Sequence, residues 1–423
     1  MSKARRLLDD CFLHDRDRLR HADALRLLDE RLEPVAGIEE VLLAEALGRV
    51  LAEDVCAPRP IPAFTNSAID GYAFAHASLK DDATRLRLAG RAAAGHAPVS
   101  ALKAGEAARI FTGAVMPEGA DSCIMQEDVE VEGEFVVVPP GLKPGANTRK
   151  AGEDLQEGEP AARTGARLRP QELAAIASTG RDRIRCFRPL RVALVSTGDE
   201  IVRPGAPLAH GQVYDSNHVL LLSLLQTVAA ETVDFGVLPD DADAVRNAVG
   251  RAAEECDVIL STGGASRGEA DHIVSTIQEL GTLHAWQIAV KPGRPLAVGQ
   301  IGDTVFFGLP GNPVAVFVTF LLYARPMLAK LQGANWHEPR RFPLPAGFAM
   351  PKKKADRREF WRGWIEEGAG RPVLRKFARD GSALISGLRW AEGLIEVAEE
   401  VTEVRPGDIL SFIPFTEFGL PPR

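Results

Sequence analysis

From residue 190 to residue 290 the sequence alternates short apolar runs with amphipathic stretches, and this alternation constrains the fold more than any other feature. LRVALVST, ETVDFGVL and DVILS each read as a strand. Between and after them lie three helical segments. DSNHVLLLSLLQTVAA has Ser216 or Asn217 placed as its cap. PDDADAVRNAVGRAAEEC puts Val245, Ala248, Val249 and Ala252 on one face. EADHIVSTIQEL follows the third strand. Strands that alternate with helices demand a parallel, doubly wound sheet. Ligands of such sheets bind beyond the carboxyl ends of the strands, where TGDE and STGG stand. PVAVFVTFLLYA, 313–324, is expected to be a buried helix.

The flanking regions have other rhythms. Residues 20–55 read helical, because LRLLDERL and EVLLAEALGRVLAEDV carry apolar residues three and four apart. APRPIPAF ends that part. From 80 to 165, short apolar runs alternate with Gly and Pro turns, which predicts small antiparallel strands. RPQELAAIASTG is a short helix with Pro170 in its first turn and Gly180 at its end. After residue 335 the chain turns basic, then β-like, and PGDILSFIPF suggests a small barrel. The expected class is multidomain α/β: a central three-layer α/β/α domain with a doubly wound, mostly parallel sheet, small β-rich domains, and a C-terminal β-barrel-like domain. The expected divisions are 1–57 with 151–186, 58–150, 187–334 and 335–423.

Composition narrows the function classes. The chain has 423 residues, 45% hydrophobic and 26% charged, with net charge −8. No Lys/Arg run dominates, so a nucleic-acid partner is not expected. Five scattered cysteines without a CxxC pair offer neither a disulfide framework nor a thiolate metal site. No 18-residue apolar stretch and no signal sequence are present, so no membrane partner is expected and the expected location is the cytoplasm.

An acidic chain that binds an anion must gather positive charge locally. AVKPGRPLAVG offers Lys291 and Arg294 around a Pro-Gly turn, suited to an oxyanion or equally to a solvated hairpin. STGGASRGEAD brings paired glycines, whose N–H groups cradle anions, before a helix start. A tight βα turn explains that stretch equally well. GLPGNP stiffens the start of the buried helix with Pro310 and Pro313. In TGDE, Asp199 and Glu200 could hold a hard cation, although a turn alone accounts for Gly198. Thr112 in FTGAVMPEG, the run NTRKAGED and Asp240–Asp241 in LPDD read singly as caps, turns or solvated faces. Taken together, glycine-rich anion loops, a few cations and many carboxylates suit a phosphate-bearing substrate bound through Mg²⁺ rather than zinc. Walker A and GxGxxG motifs are absent from the sequence.

The ordered set NSAIDGYA, FTGAVMPEGAD, GED, VSTGDE, YDSN, LPDD, STGGASRGEAD, KPGRPLAVG and GLPGNP resembles the molybdopterin molybdenumtransferase family, bacterial enzymes related to the E domain of gephyrin. The resemblance runs from about residue 20 to the C-terminus. It implies insertion of molybdate into adenylylated molybdopterin, giving molybdenum cofactor and AMP, with Mg²⁺. It also implies an elongated four-domain homodimer whose site lies between the α/β domain of one subunit and the small β domain of the other. An adenylyltransferase and molybdoenzyme clients are further implied partners. By position, Asp70, Thr112, Arg149, Asp154, Glu200, Asp240, Asp271 and Lys291 match polar site positions, and Pro310 and Pro313 match the rigid turn. Arg362 in FWRG and Ser382 in DGSA match C-terminal ones. Asp70, Glu200, Asp240 and Asp271 are then expected at Mg²⁺ or the pyrophosphate. Lys291, Arg294, Arg149, Arg362 and Arg267 are expected at the anion, and Gly263, Gly264 and Ser266 at the pterin phosphate.

Three positions depart from that pattern. Thr65 stands where the family usually has Asp, Gln287 where it often has Lys, and Arg267 where it has a small apolar residue. Arg267 is expected to take over part of the lost charge. Two other readings compete. One is the adenylyltransferase step, against which the loop reads GGASRG instead of a GGTG type. The other is a non-catalytic molybdopterin carrier, against which stands the cost of keeping idle carboxylates desolvated.

Overall fold

The computed structural model describes residues 18–96, 100–263, 272–367 and 370–423. A mixed six-stranded sheet lies at the centre. Its strand order is Glu231–Leu238, Arg191–Thr197, Val258–Thr262, Thr304–Leu309, Pro295–Ile301, Thr282–Gln287. The first four strands run parallel, Pro295–Ile301 runs against them, and Thr282–Gln287 pairs antiparallel to Pro295–Ile301.

Helices cover both faces of this sheet. On one face, Val245, Ala248, Val249 and Ala252 of Ala242–Glu255, with Ile273 and Ile277 of His272–Leu280, pack on Ala193, Val195, Ile259 and Phe306. The other face carries Ser216–Gln226 and the long helix from Pro313 to Gln332. That helix is long and apolar enough to cross a membrane, yet most of it is buried inside the protein. Asp215 caps Ser216–Gln226 by accepting from His218 N–H at 2.9 Å, so the cap falls one or two residues before Ser216 and Asn217. Its side chain is 3% exposed and bonds within its own turn, as a cap requires.

Residues 18–57 with 151–186, the part expected to be helical and elongated, bring a correction. His21–Arg31 is helical, but 38–56 holds the strands Ile38–Leu42, Val50–Leu51 and Val55–Cys56. Ile38–Leu42 and Val50–Leu51 flank Arg183–Phe187, 130 residues and more away in sequence, and Val55–Cys56 pairs Pro160–Ala162. Long-range pairing outweighs the local helical period here. Pro170–Ser178 is a helix with Pro170 at its first position and Gly180 just past its end, at φ 88°.

Between these paired segments lies a six-stranded sheet that includes Gly71–Phe74, Thr84–Ala92 and Glu106–Ile110. It is mostly antiparallel, but Thr84–Ala92 runs parallel to Glu106–Ile110. The C-terminal strands Phe342–Pro345, Arg358–Glu367, Pro372–Lys376, Gly393–Val397 and Ile409–Pro414 form another sheet. It is drawn toward closure where Gly347 N–H donates to Leu374 O at 2.9 Å. Two links join it to the centre. Val290–Lys291 pairs with Arg358–Glu359, and Phe360, Leu394, Ile413 and Phe415 enter the same core as the central helices. The two parts therefore share one core, and their junction is where the site lies.

Candidate functional site

A pocket of about 460 Å³ opens at the carboxyl end of the central parallel strands, with C-terminal strands as its other wall. Gly263, Lys291, Pro310, Arg362 and Ser382 line it, as do Asn312, Phe360, Trp361, Lys376, Phe377 and Asp380.

Each cation there is held in place. Lys291 leaves the edge strand just before a turn at Gly293, whose φ is 99°. A Cβ at Gly293 would lie 2.2 Å from Thr319 Cγ2, so the turn rests directly on the buried helix and only glycine fits. Lys291 Nζ lies 3.8 Å from the buried Glu359 carboxylate, which also accepts from Trp361 Nε1 at 2.8 Å and Arg357 Nε at 2.8 Å. Arg362, 6% exposed, donates to Leu384 O at 2.8 Å and Arg379 O at 2.7 Å, and its guanidinium lies 5.0 Å from the Phe377 ring centroid. Burial lowers its proton affinity, and Asp380 partly restores it. Lys376 pairs with Asp380 and lies 5.4 Å from the Trp361 ring centroid. Across the domain junction, Val314 N–H donates to Ser382 O at 3.0 Å, while within the central domain Asn217 Nδ2 donates to Gly311 O at 2.7 Å. The pocket is a half-apolar cleft with three anchored cations, fitted to a ligand that carries both an anion and a flat organic body.

Carboxylates flank it at the neighbouring strand ends. Glu200 folds back over Gly198, whose Cβ would lie 2.5 Å from Glu200 Oε2. Asp240 N–H donates to Asp199 Oδ1 at 3.1 Å, while Asp241 caps the next helix through Ala244 N–H at 2.8 Å. The side chains of Glu200 and Asp240 make no hydrogen bond among the described residues and remain available to a ligand. Arg294 is exposed and outside the pocket lining, as its turn points it to solvent, and Pro313 starts the helix behind the lining. Gly264, Ser266, Arg267 and Asp271 lie outside the described residues.

A second group forms on the small β domain. Asp70 Oδ1 accepts from Thr112 Oγ1 at 2.7 Å and Thr112 N at 2.8 Å. The hydroxyl first, then the backbone N–H, hold the Asp70 carboxyl below its usual range. Asp70 is exposed. Arg149, opposite Asn66, and Asp154, whose N–H donates to Ile61 O at 3.0 Å, have exposed side chains without partners among the described residues. Thr65 accepts from Ala151 N–H at 3.3 Å, which ties this loop to its neighbour. All described contacts of Asp70 and Thr112 stay within the small domain, and none reaches the pocket. Among the described residues no three acidic, histidine or cysteine side chains gather as a metal site.

Sequence reasoning missed Lys376, Asp380 and Asn312. Lys376 ends the strand Pro372–Lys376, outside any quoted motif, and Asp380 is the Asp of DGSA, where only Ser382 is singled out. Asn312 lay inside the quoted GLPGNP and was passed over for its prolines.

Fold and site define a multidomain α/β protein with a cation-lined pocket at a domain junction. Residues 19–180 match the MoeA N-terminal region (domain I and II), 193–330 a probable molybdopterin binding domain, and 344–415 the MoeA C-terminal region (domain IV). The chain is 38% identical over 381 residues to a molybdopterin molybdenumtransferase of Haemophilus influenzae, covering 89% of this chain and 94% of that protein. It is 31% identical over 382 residues to molybdopterin molybdenumtransferase 2 of Mycobacterium tuberculosis, covering 87% and 92%. The solved molybdopterin biosynthesis MoeA protein of Pyrococcus horikoshii superposes with a TM-score of 0.80 at 28% identity, covering 94% of this chain and 100% of that one. The chain belongs to the molybdopterin molybdenumtransferase family.

Proposed function

We infer that the chain is a transferase that inserts molybdate into adenylylated molybdopterin and releases AMP. The observation that carries this reading is the junction pocket, whose lining brings Lys291, Arg362 and Lys376 together with the rings of Phe360, Trp361 and Phe377. Molybdate is a tetrahedral dianion, and a point charge beside a planar fork suits it. Arg362 is pinned by two carbonyls and so keeps its remaining N–H groups aimed without reorganisation. The apolar walls would exclude water from the pterin.

Mg²⁺ fits the donor set in the manner usual for that ion, with one or two carboxylates plus substrate phosphate oxygens rather than a full protein cage. Glu200 and Asp240 are the unengaged carboxylates that would hold it. Bound there, it would neutralise charge on the pyrophosphate. The chain's own part is to orient that linkage over the strand ends and to keep Asp70 ionised through Thr112.

The exposed Asp70–Thr112 pair lacks a described contact with the pocket, and this supports a homodimer in which the small domain of one subunit completes the site of the other. Mixing Asp70→Asn and Arg362→Met subunits tests it. Half of randomly paired dimers are mixed and each carries one intact site, so about a quarter of wild-type activity should return. A mixture as inactive as either parent would overturn the shared site. The reaction itself is tested with purified adenylylated molybdopterin and molybdate, following AMP release. Failure to release AMP in a molybdate-dependent way would refute it.

A further inference from the structure

A second cleft, of about 530 Å³, lies where the elongated part meets the helical side of the central domain, away from the junction pocket. Arg167 comes from the strand-rich segment, Arg325 from the long core helix, and Asn335, Trp336 and His337 from the chain that leaves that helix. The two parts are tied there by Asn335 N–H to Gly165 O at 2.9 Å and Asn335 Nδ2 to Thr164 O at 3.3 Å.

Its charge balance is unusual. Arg167 donates only to neutral acceptors: Gly48 O at 3.0 Å, Val228 O at 3.4 Å and Gln332 Oε1 at 3.3 Å. Arg325 makes no hydrogen bond among the described residues, and its Nε is buried without a partner. Its guanidinium lies 6.0 Å from the Phe418 ring centroid. Neither arginine forms an ion pair among the described residues. The single acid in the lining, Glu172, is committed to Arg169, to which it is joined by several hydrogen bonds. Burial, and for Arg325 the neighbouring Arg167, weaken both cations. A buried lysine in this position would shed its proton, but a guanidinium cannot. Two half-buried like charges therefore face an open cleft with no counter-charge among the described residues, an arrangement that costs free energy until an anion enters.

We propose that this cleft binds a phosphate-bearing small molecule, with the phosphate dianion between Arg167 and Arg325 and the organic body against Trp336. The volume exceeds what one phosphate needs, and a ring beside a forked cation pair is the usual setting for a phosphate ester. Because residues of both parts line the cleft, the bound ester clamps the elongated part against the central domain.

The test is calorimetric titration of the full chain with inorganic phosphate and, separately, with ribose 5-phosphate, in chloride buffer of constant ionic strength. Wild type, Arg325→Gln, Arg167→Gln and Lys291→Ala are compared. The expected result is saturable ribose 5-phosphate binding that weakens at least tenfold in both arginine variants and persists in Lys291→Ala, which separates this cleft from the junction pocket. In chloride alone, Arg325→Gln should melt no lower than wild type, since it relieves a repulsion; an arginine kept only for packing would lower the melting temperature when removed. Inorganic phosphate should bind at least tenfold more weakly than the ester, and equal affinities would overturn the role given to Trp336. Isotherms unchanged by both arginine substitutions, or binding lost only in Lys291→Ala, would overturn the site.

Discussion

Glu359→Gln is the sharpest single test of how the junction pocket is built. The Glu359 carboxylate is 3% exposed and serves three donors: Arg357 at 2.7 and 2.8 Å, Trp361 Nε1 at 2.8 Å, and more distantly Lys291 Nζ at 3.8 Å. Glutamine keeps the shape but removes the charge and turns one acceptor into a donor. That new N–H must face either Arg357 or Trp361, so one strong hydrogen bond becomes a clash of donors. Breaking a buried pair costs about 3–5 kcal/mol. The side chains of Arg357 and Lys291 are 27% and 39% exposed, and water recovers part of their charge. The expected loss is therefore near the bottom of that range, about 3 kcal/mol. It should appear in urea unfolding followed through the C-terminal part, with an unchanged slope. Lys291 would also lose its tether, so KM for molybdate should rise while kcat, set by groups elsewhere, changes less. A variant that unfolds within 1 kcal/mol of wild type, with unaltered KM, would refute the view that Glu359 holds the pocket's cation in place.

Three further outcomes follow from named contacts. Thr112→Val removes the 2.7 Å hydroxyl bond to Asp70 and leaves the backbone N–H, so the carboxyl value rises toward the usual range and the acid limb of the kcat/KM profile moves to higher pH; an unmoved limb would show that Asp70 ionisation does not govern the rate. Gly293→Ala forces a Cβ 2.2 Å from Thr319 Cγ2 at a φ of 99°, and overpacking with left-handed strain should cost about 2–4 kcal/mol and weaken molybdate binding, read by thermal melting and titration. His21 is buried against Tyr323, Nδ1 to Oη 2.7 Å, and burial followed by the nearby Arg358 lowers it from 6.5 to about 4. The unfolded chain takes up that proton first, so the contribution is complete above pH 6.5 and is lost as pH falls toward 4. At about 1.4 kcal/mol per pH unit it amounts to about 3 kcal/mol. Stability measured across that window should fall less steeply in His21→Phe than in wild type.

The central domain was legible because its signal is local. Val245, Ala248, Val249 and Ala252 recur at helical spacing, and all four are buried against the sheet. Residues 38–56 were misread because theirs is not: EVLLAEAL has helical period, but Ile38–Leu42 is claimed by Arg183–Phe187, whose distance in sequence no window spans. The site divides in the same way. Lys291, Pro310 and Gly263 follow strands or open a helix and could be placed from their motifs. Lys376 and Asp380 reach the pocket only because Pro372–Lys376 pairs with Arg358–Glu367. Arg294 shared a motif with Lys291, yet the turn at Gly293 sends the two side chains to different environments.

An enzyme with net charge −8 must attract a dianion against its own field, and the pocket proposed for it holds its cations in a particular way. Its cations are not loose. Lys291 answers to Glu359, Lys376 to Asp380, and Arg362 to two backbone carbonyls. Pairing lowers the pocket's net charge, so a bound oxyanion gains less from raw attraction than it would from free cations. What pairing adds is position: three donors already fixed need little reorganisation when a tetrahedral anion arrives or changes shape. Adventitious anions, which sample charge and not geometry, gain least from such a site. The second cleft inverts the design, since among the described residues Arg167 has only neutral acceptors and Arg325 has no acid to hold it. One chain thus carries two opposite treatments of buried positive charge. Screening by salt should separate them, because an anion that supplies a missing counter-charge should lose more affinity per decade of ionic strength than one entering a nearly balanced pocket.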